Sequence, residues 1–293
     1  MLTSYILLKL QLEIVITIAP TLFISHGAPT FALEPGLLGP ALNTLGQQLS
    51  GAKAVKAVLV VSPHWQTSDV TVMTTSIPET VHDFGGFPAA LYDLQYPVAG
   101  HPQLAGEVSR LLTQADWTVS VDERRGLDHG AWVPLRHLLP NAEIPVFQVS
   151  MPMGLDTVSA FNLGKALAPI RESGVMIVAS GSMTHNLYEF RHSGAAQQDY
   201  AIAFTHWIRQ AVTSHDIESL LDYRQRAPYA QRAHPTEEHF LPLLVALGAR
   251  SDGEAAQVID GGVTNGVLSM ESYAWGIKHA HTVEVKNTVG VAA

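Results

Sequence analysis

The sequence predicts a single α/β domain with a central, mostly parallel or mixed sheet flanked by helices. Two observations carry this. Short apolar runs such as AVLVVS (57–62) and VMIVAS (175–180) read as strands buried on both faces. Between such runs lie amphipathic patterns of roughly 10–15 residues, the spacing of βαβ units.

The elements follow in order. PTLFIS (20–25) is an apolar strand opened by Pro20, and PALNTLGQQL (40–49) has helical spacing. AVLVVS is the second strand, and DVTVMTT (69–75) alternates as a half-buried third. In HPQLAGEVSRLLTQA (101–115), Leu104, Val108, Leu111 and Leu112 share one helical face. WTVSVD (117–122) is a strand, WVPLRHLL (132–139) a short helix and PVFQVSM (145–151) another strand. VSAFNLGKALAPIRES (158–173) reads as a helix stopped at Gly174, followed by VMIVAS. YAIAFTHWIRQAVT (200–213) and EEHFLPLLVALGA (237–249) are helical, and the tail adds one or two late strands. Residues 1–19 read as an N-terminal extension, 20–285 as the domain and 286–293 as a tail.

Composition narrows the function. The 293 residues carry 26 acidic against 17 basic side chains, a net charge of −9, with no basic cluster, so nucleic acid is not an expected partner. There is no cysteine, which excludes disulfides, thiolate metal sites and a Cys nucleophile. Lys9 and Glu13 interrupt the apolar N-terminal run, which is too short to span a bilayer and lacks the basic start of a signal peptide. A cytoplasmic protein with no membrane association is the expectation. GxGxxG, GxxxxGK[ST] and GxSxG patterns are all absent.

The 14 histidines are the informative residues. His26 follows TLFIS, His64 follows LVVSP, and His185 follows IVASGSMT. Ligands of open α/β sheets collect beyond the C-terminal strand ends, so three imidazoles delivered there converge on one rim. His239 is a fourth candidate, projecting from the start of a helix with Thr236 as N-cap and Glu238 in the first turn. Three or four imidazoles without cysteine suit Fe(II) or Zn(II) better than Mg(II) or Ca(II). HDFGGF brings His82 and Asp83, and GLDHGAW brings Asp128 and His129, in loops that either serve the backbone alone or place a substrate-lining histidine over the metal. Trp65, Phe84, Phe87 and Trp132 form either an aromatic wall for a planar substrate or part of the core.

The segments SHGAP, SPHW, HDFGGFP, LYDLQYP, GLDHGAW, ASGSMTHNL and PTEEHFLPLL, in this order from about residue 20 to 275, closely resemble the DOPA-dioxygenase-type members of the class III extradiol ring-cleavage dioxygenases. That superfamily includes the catalytic subunit of protocatechuate 4,5-dioxygenase. The resemblance implies a non-haem metal at the sheet rim. It implies His26, His64 and His239 as ligands, with His185 as the active-site acid/base or a further ligand. It also implies His129 as a second-sphere histidine and second catalytic group of the pocket; the loop and aromatic readings above add His82 and Trp65 as substrate-binding candidates beside it. Glu238, beside His239, is the alternative third ligand, because the wider superfamily uses two histidines and a carboxylate. Asp83 and Asp128 are candidates to orient neighbouring imidazoles. The implied reaction opens the ring of a catechol resembling DOPA, caffeate or protocatechuate, with both atoms of O2 incorporated, on Fe(II), with Zn(II) an alternative occupant. A zinc hydrolase and a non-enzymatic binding protein are the competing readings, and either a monomer or a homodimer fits.

Overall fold

Thr21–Ser25, all five residues buried, form strand β1. In the computed structural model, which describes residues 18–51, 55–192 and 195–277, it lies inside an eight-stranded sheet. The other strands are β2 (Ala57–Thr67), β3 (Val70–Met73), β4 (Val119–Asp122), β5 (Val146–Pro152), β6 (Val175–Gly181), β7 (Gln257–Ile259), β8 (Val263–Thr264), β9 (Leu268–Ser269) and β10 (Ser272–Trp275). The order is β4-β3-β5-β2-β6-β1-β10-β7, with β8 and β9 paired separately. β5, β2, β6 and β1 pair in parallel, while β3–β5, β1–β10 and β10–β7 are antiparallel, so the sheet is mixed, as expected. The all-apolar runs lie at its centre, where both faces are covered.

Two groups of helices cover it. Leu38–Gly51 packs on His129–Leu138, which reaches β2 and β6. Thr157–Leu167 packs on Leu241–Ala249, which reaches β6 and β1. This second pair touches backbone to backbone. A Cβ on Gly164 would come within 2.1 Å of the Val245 carbonyl oxygen, and one on Gly248 within 2.0 Å of that of Phe161. Among the described residues no helix is long and apolar enough to cross a membrane. The tail expected at 286–293, and all but the last two residues of the expected N-terminal extension, lie outside the described residues.

Two expectations change in detail. The second strand does not stop at Ser62: β2 runs on to Thr67, with a register shift against β5 between Val61 and Gln66. His64 therefore sits in a β-bulge within a long strand, and bulges re-aim side chains. The last helix starts at Leu241, not near Thr236. His239 belongs to the turn before it, and the Phe240 cap makes no side-chain hydrogen bond.

Candidate metal centre

Four segments meet at the C-terminal edge of the parallel strands. His26 directly follows β1, and His64 sits in the β2 bulge. His185 lies four residues past the end of β6, and His239 in the turn before the last helix. Backbone bonds tie the last two together. Ser182 N–H donates to the His239 carbonyl at 2.9 Å, and His185 N–H to that of Ala233 at 2.8 Å. The His185 and His239 rings then stack at 3.5 Å, 10° from parallel.

His26 Nε2 lies 3.1 Å from His64 Nε2, which lies 3.3 Å from His239 Nε2. Two metal–nitrogen bonds of ~2.0–2.1 Å at 90–110° place their nitrogens roughly 2.8–3.4 Å apart, so this spacing fits one shared cation. The other ring nitrogens support it. Ser180 Oγ donates to the Gly130 carbonyl and accepts from His26 Nδ1 at 2.9 Å. Glu238 Oε1 accepts from His239 Nδ1 at 3.0 Å. Both rings thus carry their proton on Nδ1 and turn a bare Nε2 lone pair to the centre. Glu238 also accepts from Thr236 Oγ1 at 2.9 Å, so it backs His239.

Burial is the first cause of the electrostatics here, and mutual repulsion among the imidazoles the second. Together they hold His26 and His239 well below the usual imidazole value and bring His64 down to about 4. Burial also lowers His185 to about 4. At neutral pH these are uncharged rings, the form that binds a metal.

His129 begins the helix His129–Leu138. Asp83 Oδ1 accepts from both its backbone N–H, at 2.8 Å, and its Nδ1, at 3.0 Å. Burial alone would raise the Asp83 carboxyl, but these bonds and the nearby imidazoles outweigh it and bring it down to about 2. Asp83 orients His129 as expected. Asp128 does something else. It is fully buried, caps the same helix through Ala131 N–H, and accepts from Ser62 Oγ and Gln148 Nε2, each at 2.8 Å. It holds the loop to the bulged strand, not a ring.

Gly130 fits this junction for a steric reason. A Cβ there would lie 2.3 Å from Ser62 Oγ and 2.9 Å from His64 Cδ2. Gly130→Ala is expected to cost about 1–3 kcal/mol, as overpacking does, and to weaken metal retention with it. Thermal unfolding with and without metal checks this; an unchanged melting temperature would show that the junction yields.

The imidazoles open into a cavity of about 450 Å³, also lined by Phe84, Phe87, Leu187, Phe190 and Leu268. His26, His64, His129, His185 and His239 all line it. His82 and Trp65 lie outside this lining. His82 Nε2 bonds the Leu94 carbonyl at 3.0 Å, and Trp65 is buried under the Arg125 guanidinium, 5.2 Å from the ring. Trp132 is core, with its indole N–H on the Val81 carbonyl. Sequence reading missed Ser180, the partner of His26, because a serine ending a buried strand carries no signal of its own. It also missed His234, fully buried, whose Nε2 bonds the Met183 carbonyl at 2.9 Å.

Residues 21–270 match the family model described as the catalytic LigB subunit of aromatic ring-opening dioxygenase. The chain is 39% identical to a 4,5-DOPA dioxygenase extradiol of Beta vulgaris, over 87% of this chain and 96% of that one. It is 36% identical to one of Escherichia coli K12, over 86% and 93%. A crystal structure of an uncharacterized Escherichia coli K12 protein superimposes with a TM-score of 0.72 at 30% identity, covering 87% of this chain and 99% of that one.

Proposed function

Because this chain belongs to the LigB family of aromatic ring-opening dioxygenases, we propose that it opens the ring of a catechol next to the diol, with both atoms of O2 incorporated, on a ferrous ion held by His26, His64 and His239. The observation that carries this reading is the convergence of three Nε2 atoms, two of them bared by the bonds of their rings to Ser180 and Glu238. Held by these three imidazoles, a ferrous ion would supply open coordination positions and redox chemistry for a catechol and dioxygen. Zn(II) fits the same nitrogens but supplies no electron.

The protein's own groups handle protons and shape. His185, neutral at pH 7 and half-buried at the cavity wall, accepts a proton from a catechol hydroxyl and returns it later in the cycle. His129 keeps Nδ1 on Asp83, which leaves Nε2 for the substrate. Phe84 and Phe87, edge-to-face at 5.5 Å, pack against the aromatic ring and exclude water. The substrates are a small catechol and O2, and a cytoplasmic setting suits this chemistry.

Oxygen uptake by anaerobically Fe(II)-loaded protein tests the reading, with L-DOPA, caffeate and 4-methylcatechol in turn. One O2 consumed per catechol, with a new yellow absorber, is expected. No uptake at full metal occupancy would overturn it in favour of hydrolysis or binding. His185→Gln is expected to keep its metal while turnover falls ~10²–10⁴-fold, the usual worth of acid–base help. Metal loss as complete as in His64→Ala would make His185 a ligand instead.

A further inference from the structure

The cavity's polar side chains are all imidazoles, and the rest of its wall is apolar. Among the described residues, no Lys or Arg lines it. Two cations on the neighbouring segments, Arg125 and Arg232, are engaged elsewhere. Arg125 pairs with Asp128 at 3.2 Å and covers Trp65. Arg232 makes two bonds of 2.8 Å to Glu189. Arg191, next to Phe190, is exposed with its stem against Gly266. Two carboxylates, Asp83 and Glu238, stand behind His129 and His239.

We propose that the site selects catechols whose ring substituent is uncharged or cationic, and rejects those with a carboxylate directly on the ring; this rests on the ring-opening reading above. With the diol at the imidazoles, the substituent meets Phe84, Phe87, Leu187, Phe190 and Leu268. An alkyl group there buries apolar surface. An ammonium group gains from aromatic faces. A ring carboxylate loses its water, finds no cationic, hydroxyl or amide side chain to replace it, and feels the field of Asp83 and Glu238.

Anaerobic titration calorimetry on the metal-loaded protein, with 4-methylcatechol, dopamine and protocatechuate, reads binding apart from turnover. Protocatechuate is expected to bind about 100-fold more weakly than 4-methylcatechol, the discrimination that follows when a buried charge is left unpaired. Phe190 is 41% exposed on its loop, so Phe190→Arg is tolerated by the fold. That variant is expected to narrow the gap about tenfold by offering the carboxylate a partner. Protocatechuate binding as tightly as 4-methylcatechol in the unmodified protein, or an unchanged gap in Phe190→Arg, would overturn the proposal. Oxygen uptake is scored separately: tight 4-methylcatechol binding without uptake would refute ring opening and leave the binding preference standing.

Discussion

His64→Ala is expected to lose stoichiometric metal and all measurable ring cleavage while the sheet still forms. His64 Nε2 is the middle atom of the cluster, 3.1 Å from His26 and 3.3 Å from His239, so its removal leaves two of the three nitrogens. Loss of an outer hydrogen-bond partner alone typically lowers metal affinity ~10–100-fold, and loss of a ligand exceeds that. The side chain is half-buried at the cavity wall, so truncation opens onto existing space and leaves the core intact. Metal analysis after gel filtration, with circular dichroism for the fold, checks this. A folded His64→Ala protein with one tightly held iron would remove His64 from the ligand set.

The metal-free protein is expected to lose stability as pH falls from about 6.5 to about 4, by several kcal/mol. An unfolded imidazole takes up its proton near pH 6.5. In the folded chain, burial and neighbouring imidazoles hold His64 at about 4 and His26 and His239 lower, and burial lowers His185 to about 4. Within that window the unfolded state binds more protons than the folded one, so the stability present above 6.5 drains away on acidification. A tenfold difference in proton affinity between the folded and unfolded chain is worth about 1.4 kcal/mol per group, which sets the scale of the loss. Metal occupies the same lone pairs, so loading is expected to extend the stable range to lower pH. Urea unfolding at pH 7.5, 6 and 4.5, with and without metal, measures it; a flat apo-protein profile would refute the assignment.

The centre of the sheet was legible because both-face burial writes itself as unbroken apolar runs. His26 was legible for the same reason, standing just where such a run ends. His64 was found, but its setting was not. The pattern stops at Ser62–Pro63, whereas pairing with β5 carries the strand to Thr67 through a bulge that only the partner strand specifies. His239 was placed in the first turn of a helix capped by Thr236, yet Pro242 in the helix's first turn and the Thr236–Glu238 bond leave it in a preceding turn. The short helices Ile217–Leu221, Tyr223–Arg226 and Ala230–Ala233 escaped because four or five residues cannot show a helical period. Asp128 reads in sequence as a neighbour of His129. Only the fold reveals that its carboxylate is consumed by Ser62, Gln148 and a helix cap.

β1 is clamped between β6 and β10, so its partners come from residues 177–181 on one side and 273–275 on the other. Its register is completed last in any vectorial synthesis. A ribosome-bound chain presents His26 and His64 early but cannot align them with His239 until the final third has emerged. Long-range parallel pairing of this kind closes slowly, since the loop entropy is lost before the contacts form. If the proposed centre holds its metal through His26, His64 and His239, capture is the closing event of biogenesis: nascent or truncated chains would lack the assembled ligand set, and metal supply would act on a finished scaffold, not on the folding chain.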